Sequence, residues 1–188
     1  MKVTVFSTFA FERPLLERAN GGRHELHFLD AALGAKTVAL AQGSDAVCVF
    51  TPDDVSAPML EQLREHGVRC IAVRGAGYDN VDLSTAHQLG IQVANVPDYS
   101  PHAIAEHAVT LMLALCRHLR QADQQLRVNN FTLDNLTGFD LFGKTVGILG
   151  VGRIGGVVAG ILHGFGCRLL GVDVQPNPEL TRATACST

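Results

Sequence analysis

The segment GILGVGRIGG, residues 147–156, decides the fold of this sequence. It places Gly150, Gly152 and Gly155 in the spacing G-x-G-x-x-G, directly after the apolar run KTVGILG and directly before the helical run RIGGVVAGILHGFG. A second apolar run, CRLLGVDV, carries Asp173 near its end, 18 residues after Gly155. Strand, glycine turn, helix, strand and acidic residue in this order predict the opening of a dinucleotide-binding Rossmann unit.

Each position in this glycine loop has a separate predicted role. Gly150 permits the tight turn, Gly152 leaves room for a pyrophosphate, and Gly155 lets the helix and the strand pack closely. The unpaired amides at the start of the helix then face the phosphates. We expect Asp173 to accept hydrogen bonds from ribose hydroxyls and to repel a 2′-phosphate, so NAD is favoured over NADP. The alternative is a glycine-rich turn without a ligand.

Upstream of this segment, short apolar runs alternate with helical runs. This alternation predicts a parallel sheet covered by helices, forming a first domain over residues 1–98. The predicted strands are VTVFS (3–7), HELHFL (24–29), AVCVF (46–50), RCIAV (69–73) and IQVANV (91–96). The predicted helices are PLLERAN (14–20), APMLEQLREHG (57–67) and DLSTAHQLG (82–90).

Residues 99–188 are predicted to form an interdomain helix and the first part of a Rossmann domain. Ser100 and Pro101 are typical of a helix N-cap and first turn, and Glu106 to Arg127 can continue as one long helix. Only the first two Rossmann strands are encoded, so we expect a truncated domain. A frameshift, an early stop and a gene fragment all stay open as its origin.

The overall composition excludes some classes of protein. The chain has 188 residues, 47% of them apolar, and a net charge of −3, which argues against a nucleic-acid-binding surface. The sequence shows no membrane span and no signal peptide, which favours a cytoplasmic protein. Its five cysteines form no C-x-x-C pair, so reduced structural thiols are favoured.

From residue 1 to about residue 180 the sequence resembles the D-isomer-specific 2-hydroxyacid dehydrogenases, and within them most closely the fermentative D-lactate dehydrogenases. The segments that carry the resemblance are MKVTVFST (1–8), AVCVFTPDD (46–54), IAVRGAGYDNVDL (71–83), VPDYSPHAIAEHAV (96–109), NFTLDNLTGFDLFGKTVGILGVGRIG (130–155) and PNPEL (176–180). The resemblance implies a flavodoxin-like, substrate-binding first domain, NAD as cofactor, and a small D-2-hydroxy or 2-oxo acid, D-lactate or pyruvate, as substrate. It also implies a homodimer for the full-length family.

The resemblance assigns roles to individual residues. The backbone amides of Ala76 and Gly77 would hold the substrate carboxylate, because a glycine-rich turn exposes N–H groups to an anion. Tyr99 matches a tyrosine that reaches the substrate and the nicotinamide, although a rim tyrosine packed on the interdomain helix is the alternative. Arg153 and Ile154 match positions that contact the cofactor diphosphate, largely through the backbone.

No catalytic residue is assigned in this chain. The family's catalytic histidine, its paired glutamate and its arginine belong to a downstream region, and none of the eight histidines here matches that position. The 188-residue chain is therefore expected to be inactive alone, and a non-catalytic nucleotide- or carboxylate-binding module or a decayed gene product is the alternative.

Two further groups of polar residues are interpreted as structural. Arg74 is expected to be a structural or orienting charge. His102, Glu106 and His107 miss the zinc spacing H-x-x-E-H by one residue, so helix packing is favoured and no metal site is predicted.

Overall fold

The computed structural model describes residues 1–175, so the features predicted for residues 176–188, including PNPEL, lie outside the described residues. The chain divides into two compact units, the first spanning Met1–Tyr99 and the second beginning at Ser100. The substrate-binding and cofactor-binding roles expected for the two parts stay predictions.

The first unit contains five strands: β1 (Lys2–Val5), β2 (Glu25–Phe28), β3 (Ala46–Val49), β4 (Cys70–Val73) and β5 (Gln92–Ala94). They form one sheet in the order β2-β1-β3-β4-β5, with every neighbouring pair parallel. This is the strand order of flavodoxin-like folds, and it confirms the predicted parallel sheet.

A hydrophobic core lies between this sheet and two of the helices of the first unit, those at 57–65 and 83–88. Val47 and Val49 of β3 and Ile71 of β4 are fully buried, as expected for β-branched side chains in central parallel strands. The helices are α1 (Arg13–Asn20), α2 (Ala57–Glu65) and α3 (Leu83–Gln88), and a short 3₁₀ helix that the sequence did not predict spans Val38–Ala41.

Up to residue 175, the second unit contains three helices and a parallel pair of strands. The elements are α4 (Pro101–Cys116), α5 (Leu119–Arg127), β6 (Thr145–Leu149), α6 (Arg153–Gly164) and β7 (Arg168–Val172). Val158 and Leu162 share a buried cluster with Ala105 and Val109, so α6 packs against α4. The β6-α6-β7 unit is the one predicted from the glycine loop.

The prediction of one long helix from Glu106 to Arg127 is wrong. The helix α4 begins as expected, with Ser100 Oγ accepting a hydrogen bond from the amide of Ala103 at 3.2 Å, but it ends at Cys116. His118 has φ 50°, a left-handed conformation that no α-helix interior adopts. Its ring lies 3.1 Å from the carbonyl oxygen of Thr137, so contacts with a distant loop break the helix.

Candidate functional site

The predicted carboxylate loop follows β4 directly and is held from one side. The amide of Val96 donates to the Gly75 carbonyl at 3.0 Å, and Asn95 Nδ2 donates to the Ala76 carbonyl at 2.8 Å. In a trans peptide the N–H points opposite to the carbonyl of the same plane, and the described residues contain no cis bond. Fixing these two carbonyls therefore aims the amides of Ala76 and Gly77 away from residues 95–96.

Those two amides are unoccupied donors within the described part of the chain. Neither the N–H of Ala76 nor that of Gly77 donates a hydrogen bond to any residue among 1–175. Unpaired adjacent amides form a small anion-binding concavity, so this turn can hold a carboxylate. Carboxylate binding by Ala76 and Gly77 stays a prediction.

The backbone conformation of this turn does not require glycine. Neither Gly75 nor Gly77 has a positive φ. A Cβ at Gly77 would meet only Asp79 Oδ2, at 3.9 Å, which is an ordinary contact. A bulky substitution at Gly77 is therefore expected to act by filling the space in front of the turn rather than by straining it.

The half-buried side chain of Arg74 lies immediately before the carboxylate loop. Its Nη1 donates to the Phe6 carbonyl at 3.0 Å, and its Nη2 donates to the Ser7 carbonyl at 2.9 Å. Its Nε lies 3.5 Å from Glu12 Oε1, and its guanidinium lies 5.5 Å from the centre of the Phe50 ring. The side chain of Arg74 thus contacts other groups of the first unit, as expected for a structural charge.

The buried carboxylate of Asp53 lies at the same carboxyl end of the sheet. The sequence analysis did not identify it. Its Oδ1 accepts from Ser7 Oγ and from the Leu33 amide, both at 2.7 Å, and its Oδ2 accepts from the Phe50 amide at 2.6 Å. Asn80 donates to the carbonyls of Phe50 and Asp53 at 3.2 and 2.9 Å. The Pro-Asp turn after β3 was the only local signal for this network.

Tyr99 ends the first unit and is 62% exposed. No hydrogen bond or ring contact within residues 1–175 joins it to Ala76 or Gly77. Its contact with substrate stays a prediction.

The glycine loop has the backbone geometry that the sequence predicted. Gly150 has φ 88°, a conformation that favours glycine, and its amide donates to the Val172 carbonyl of β7 at 2.7 Å. A Cβ at Gly155 would overlap the carbonyl oxygen of Gly150, so only glycine fits where the helix meets the turn. A Cβ at Gly152 would meet no atom within 4 Å, which leaves open space in front of the loop.

That open space lies at the N-terminus of α6. Gly152 is the N-cap residue, and Arg153 and Ile154 are exposed in the first helical turn. The first amides of a helix have no intrahelical acceptor and carry a partial positive charge, which attracts phosphate groups. These residues therefore fit the pyrophosphate of a dinucleotide.

Asp173 is tied to the glycine loop. Its Oδ2 accepts from the Val151 amide at 2.7 Å, and its Oδ1 accepts from the Gln175 amide at 3.1 Å. The backbone N–H groups of Gln175 and Val151 hold the pKa of the Asp173 carboxyl below its ordinary value of 3.8. A carboxylate at the end of the second strand, beside the glycine turn, is where an adenosine ribose would be bound.

The histidine-rich start of α4 lies on the surface. His102, Glu106 and His107 are all exposed. Within residues 1–175 no group of three His, Cys, Asp or Glu side chains is arranged to hold a metal ion.

The cysteines of the described residues are unpaired thiols. Cys48, Cys70, Cys116 and Cys167 are free, and burial raises the pKa of the thiols of Cys48 and Cys70. Among the described helices, none has both the length and the apolar character needed to span a bilayer.

A flavodoxin-order parallel sheet, followed by a β-α-β unit with a glycine turn, defines an α/β protein that combines two parallel-sheet units, the second with the opening typical of dinucleotide-binding folds. The family model for D-isomer specific 2-hydroxyacid dehydrogenase, catalytic domain, matches residues 3–185. The chain therefore belongs to the D-isomer-specific 2-hydroxyacid dehydrogenase family.

Individual relatives agree with this assignment. The chain is 47% identical over 178 residues to D-lactate dehydrogenase of Escherichia coli, a match that covers 94% of this chain and 54% of that protein. The apo structure of D-lactate dehydrogenase from Escherichia coli matches with a TM-score of 0.90 and 45% identity, over 97% of this chain and 58% of the other.

A more distant structure carries ligands. D-lactate dehydrogenase from Aquifex aeolicus, complexed with NAD and lactic acid, matches with a TM-score of 0.82 and 26% identity, over 96% of this chain and 54% of the other. The chain spans about half the length of the curated relatives it matches.

Proposed function

We propose that this chain carries the substrate-carboxylate loop and the NAD-binding glycine loop of an NAD-dependent oxidoreductase that acts on the CH–OH group of a D-2-hydroxy acid, with D-lactate and pyruvate as its substrate pair. The observation that carries the proposal is the hydrogen bond from the Val151 amide to Asp173, at 2.7 Å. This bond holds the carboxylate that would bind the ribose next to the turn that would bind the pyrophosphate. The names of the relatives, several of them D-lactate dehydrogenases, supply the substrate class.

The proposal gives the two parts of the chain different roles. Residues 1–98 bind the substrate, and the amides of Ala76 and Gly77 bind its carboxylate. Tyr99, the residue after this part, contacts the substrate near the carbon that reacts. Residues 99–188 bind NAD. In that part Gly150, Gly152 and Gly155 shape the loop, and the other contacts come from Arg153, Ile154 and Asp173. A homodimer and a cytoplasmic location stay predictions for the full-length protein.

The residues present fit NAD by shape and by charge. Gly152 faces open space at a helix N-terminus, and Asp173 offers an anionic acceptor for ribose hydroxyls. When bound, NAD accepts or delivers the hydride. The task of this chain's residues is to fix the positions of the two reactants, which by itself supplies a large part of many enzymatic rate enhancements.

The proposal does not assign the proton donor or the carbonyl-polarising cation to this chain. Within residues 1–175 no histidine forms an ion pair with a carboxylate, and Arg74 is committed to backbone carbonyls. Removing one group of this kind lowers a rate by roughly 10²- to 10⁴-fold. We therefore expect the 188-residue chain alone to show no pyruvate-dependent oxidation of NADH, whereas measurable turnover would contradict this part of the proposal.

The cofactor assignment is tested in a chimera that joins residues 1–175 to the downstream half of Escherichia coli D-lactate dehydrogenase. The chimera should reduce pyruvate with NADH and discriminate against NADPH, because Asp173 repels the 2′-phosphate. Asp173→Ala should relax that preference, and Asp54→Ala, which alters a carboxylate in the first unit, is the matched control. Equal use of NADPH by the unmodified chimera would remove Asp173 from the site.

The substrate assignment is tested in the same chimera with Gly77→Val. The added side chain fills the space before the Ala76 and Gly77 amides, so the KM for pyruvate should rise. Gly34→Val, at a position where a Cβ meets no atom within 4 Å, is the control. An unchanged KM would remove this loop from the substrate site.

A further inference from the structure

The side chain of Arg74 is unusually enclosed for an arginine, because arginine is among the residues that are mostly exposed. Only 11% of its side chain is exposed. Two of its nitrogens serve three backbone carbonyls: Nη1 reaches Phe6 at 3.0 Å and Cys48 at 3.3 Å, and Nη2 reaches Ser7 at 2.9 Å. These are neutral acceptors, so the fork is used for geometry rather than only for charge pairing.

The bonds from Arg74 to these carbonyls connect three adjacent strands at the carboxyl end of the sheet. Phe6 and Ser7 follow β1, Cys48 lies near the end of β3, and Arg74 is the first residue after β4. Ser7 is held with φ 49°, which is costly for a serine and persists only where surrounding contacts fix it. The guanidinium is thus a cross-brace at the point where the chain leaves the sheet.

The carboxylate loop begins at the next residue. Residues 95–96 hold the carbonyls of Gly75 and Ala76 from one side, which sets the direction in which the Ala76 and Gly77 amides point. Their position relative to the sheet still depends on the start of the loop. The amide of Arg74 donates to the Val49 carbonyl at 2.8 Å, and its side chain adds the bonds to the carbonyls of Phe6, Cys48 and Ser7.

We propose that Arg74 is a positioning residue for carboxylate binding: by bracing the ends of β1, β3 and β4 it fixes the place of the Ala76 and Gly77 amides. This inference rests on the proposed carboxylate-binding role of those amides. Arg74 does not itself contact the substrate, because its Nη groups bond the carbonyls and its Nε faces Glu12. Lysine cannot replace it fully, since an ammonium lacks the planar fork that spans three carbonyls.

The test uses the ¹⁵N-labelled 188-residue chain and its Arg74→Met and Arg74→Lys variants. Arg69→Met, at an exposed arginine just before β4, is the matched control. Each protein is titrated with pyruvate and, as a neutral probe, with pyruvamide, while the Ala76 and Gly77 amide resonances are followed. The wild type and Arg69→Met should bind pyruvate with the same Kd, and pyruvamide should leave both resonances unchanged.

Arg74→Met should raise the Kd by about tenfold or more, since displacing binding groups by an ångström has effects of that size. The Kd of Arg74→Lys should lie between those of the wild type and Arg74→Met. In both variants the core amides of Val47 and Ile71 should keep their resonance positions, a pattern that general destabilisation would not give. A wild-type Kd in Arg74→Met would overturn the proposal, and if that variant does not fold, a wild-type Kd in Arg74→Lys would do so.

A failure of the proposed function gives a different result. In that case pyruvate leaves the Ala76 and Gly77 resonances of the wild type unchanged, so the carboxylate assignment falls. The ligand-free spectra still test the brace. Arg74→Met should move the Ala76 and Gly77 resonances and Arg69→Met should not, and an unmoved loop in Arg74→Met would overturn the positioning role.

Discussion

The two backbone loops of this chain are supported in different ways. The loop that follows β4 depends on distant side chains, with Arg74 and Asn80 reaching carbonyls of residues 6, 7, 50 and 53. The glycine loop depends on its own β-α-β unit, in which Gly155 packs on Gly150 and Asp173 bonds Val151. One turn is thus fixed by tertiary contacts, and the other by contacts within its own β-α-β unit.

The sheets behind the two loops also differ. Ile71 of β4 is fully buried, whereas Leu149 of β6 is 89% exposed and Leu170 of β7 is 54% exposed. Among the described strands β6 and β7 pair only with each other, and a two-stranded sheet is marginally stable in water. We therefore expect the unit that carries the first loop to be more stable than the unit that carries the glycine loop.

The largest expected difference comes from truncating one apolar side chain in each sheet. Ile71→Ala should lower the free energy of unfolding of the first unit by about 4 kcal/mol, because it leaves a cavity in a closed core. Leu149→Ala should change stability by less than about 0.5 kcal/mol, since its side chain is already in water. Urea denaturation followed by circular dichroism measures both, and equal losses would contradict the contrast.

The glycine loop should be most sensitive at Gly155. A Cβ there overlaps the Gly150 carbonyl, so Gly155→Ala should destabilise the β6-α6-β7 unit by about 3 kcal/mol. Gly160→Ala is the matched control in the same helix, because its Cβ meets nothing within 4 Å, and it should stabilise the helix by up to about 1 kcal/mol. Hydrogen exchange across α6 reports both effects, and a neutral Gly155→Ala would refute the close contact.

In the first unit the buried carboxylate of Asp53 should come next. Both oxygens of its carboxylate accept hydrogen bonds. In Asp53→Asn the NH₂ group would therefore face an N–H or O–H donor, at a cost of about 2 kcal/mol. Asp54→Asn is the control, since Asp54 is exposed and accepts from the Ser56 amide. Thermal unfolding of the two variants distinguishes them, and the same melting temperature in both would show that the Asp53 network is dispensable.

The smallest effect is a dependence of the glycine loop on pH. The folded-state pKa of Asp173 lies below 3.8, because the backbone amides of Gln175 and Val151 favour the carboxylate. Its contribution to stability is therefore complete above the unfolded pKa and is lost as the pH falls through the folded pKa. A carboxyl ¹³C titration should give a midpoint below 3.8, and Asp173→Asn should abolish the accompanying shift of the Val151 amide. A midpoint above 3.8 would contradict the two hydrogen bonds.

These contrasts also explain what the sequence could predict. The glycine spacing, the following helix and Asp173 lie within one short segment, so their arrangement follows from local patterns. The five strands of the first sheet were predicted for the same reason, since each is a short apolar run between turns. Their ends were less certain: the run 3–7 was predicted as strand, but β1 ends at Val5 and Ser7 adopts a left-handed conformation.

The features that the sequence did not predict depend on contacts between distant segments. The break after Cys116 is set by residues 137–139, where a Cβ at Gly138 would overlap the Cys116 carbonyl and the Phe139 amide donates to that oxygen at 3.2 Å. The partners of Asp53, at Ser7 and Leu33, are equally remote in sequence. No periodicity or spacing signals such pairs, because they form only once the sheet has assembled.

The most direct test of the central claim, that one loop receives a carboxylate and the other a dinucleotide, is an amide NMR titration of the 188-residue chain with each ligand separately. NAD should shift the amides of Gly152 and Ile154 and leave Ala76 and Gly77 unchanged, and pyruvate should do the reverse. Gly152→Ala, which places a methyl group in open space without disturbing the fold, should weaken only the response to NAD. NAD shifts confined to the first unit, or no response of either loop to its ligand, would contradict the account.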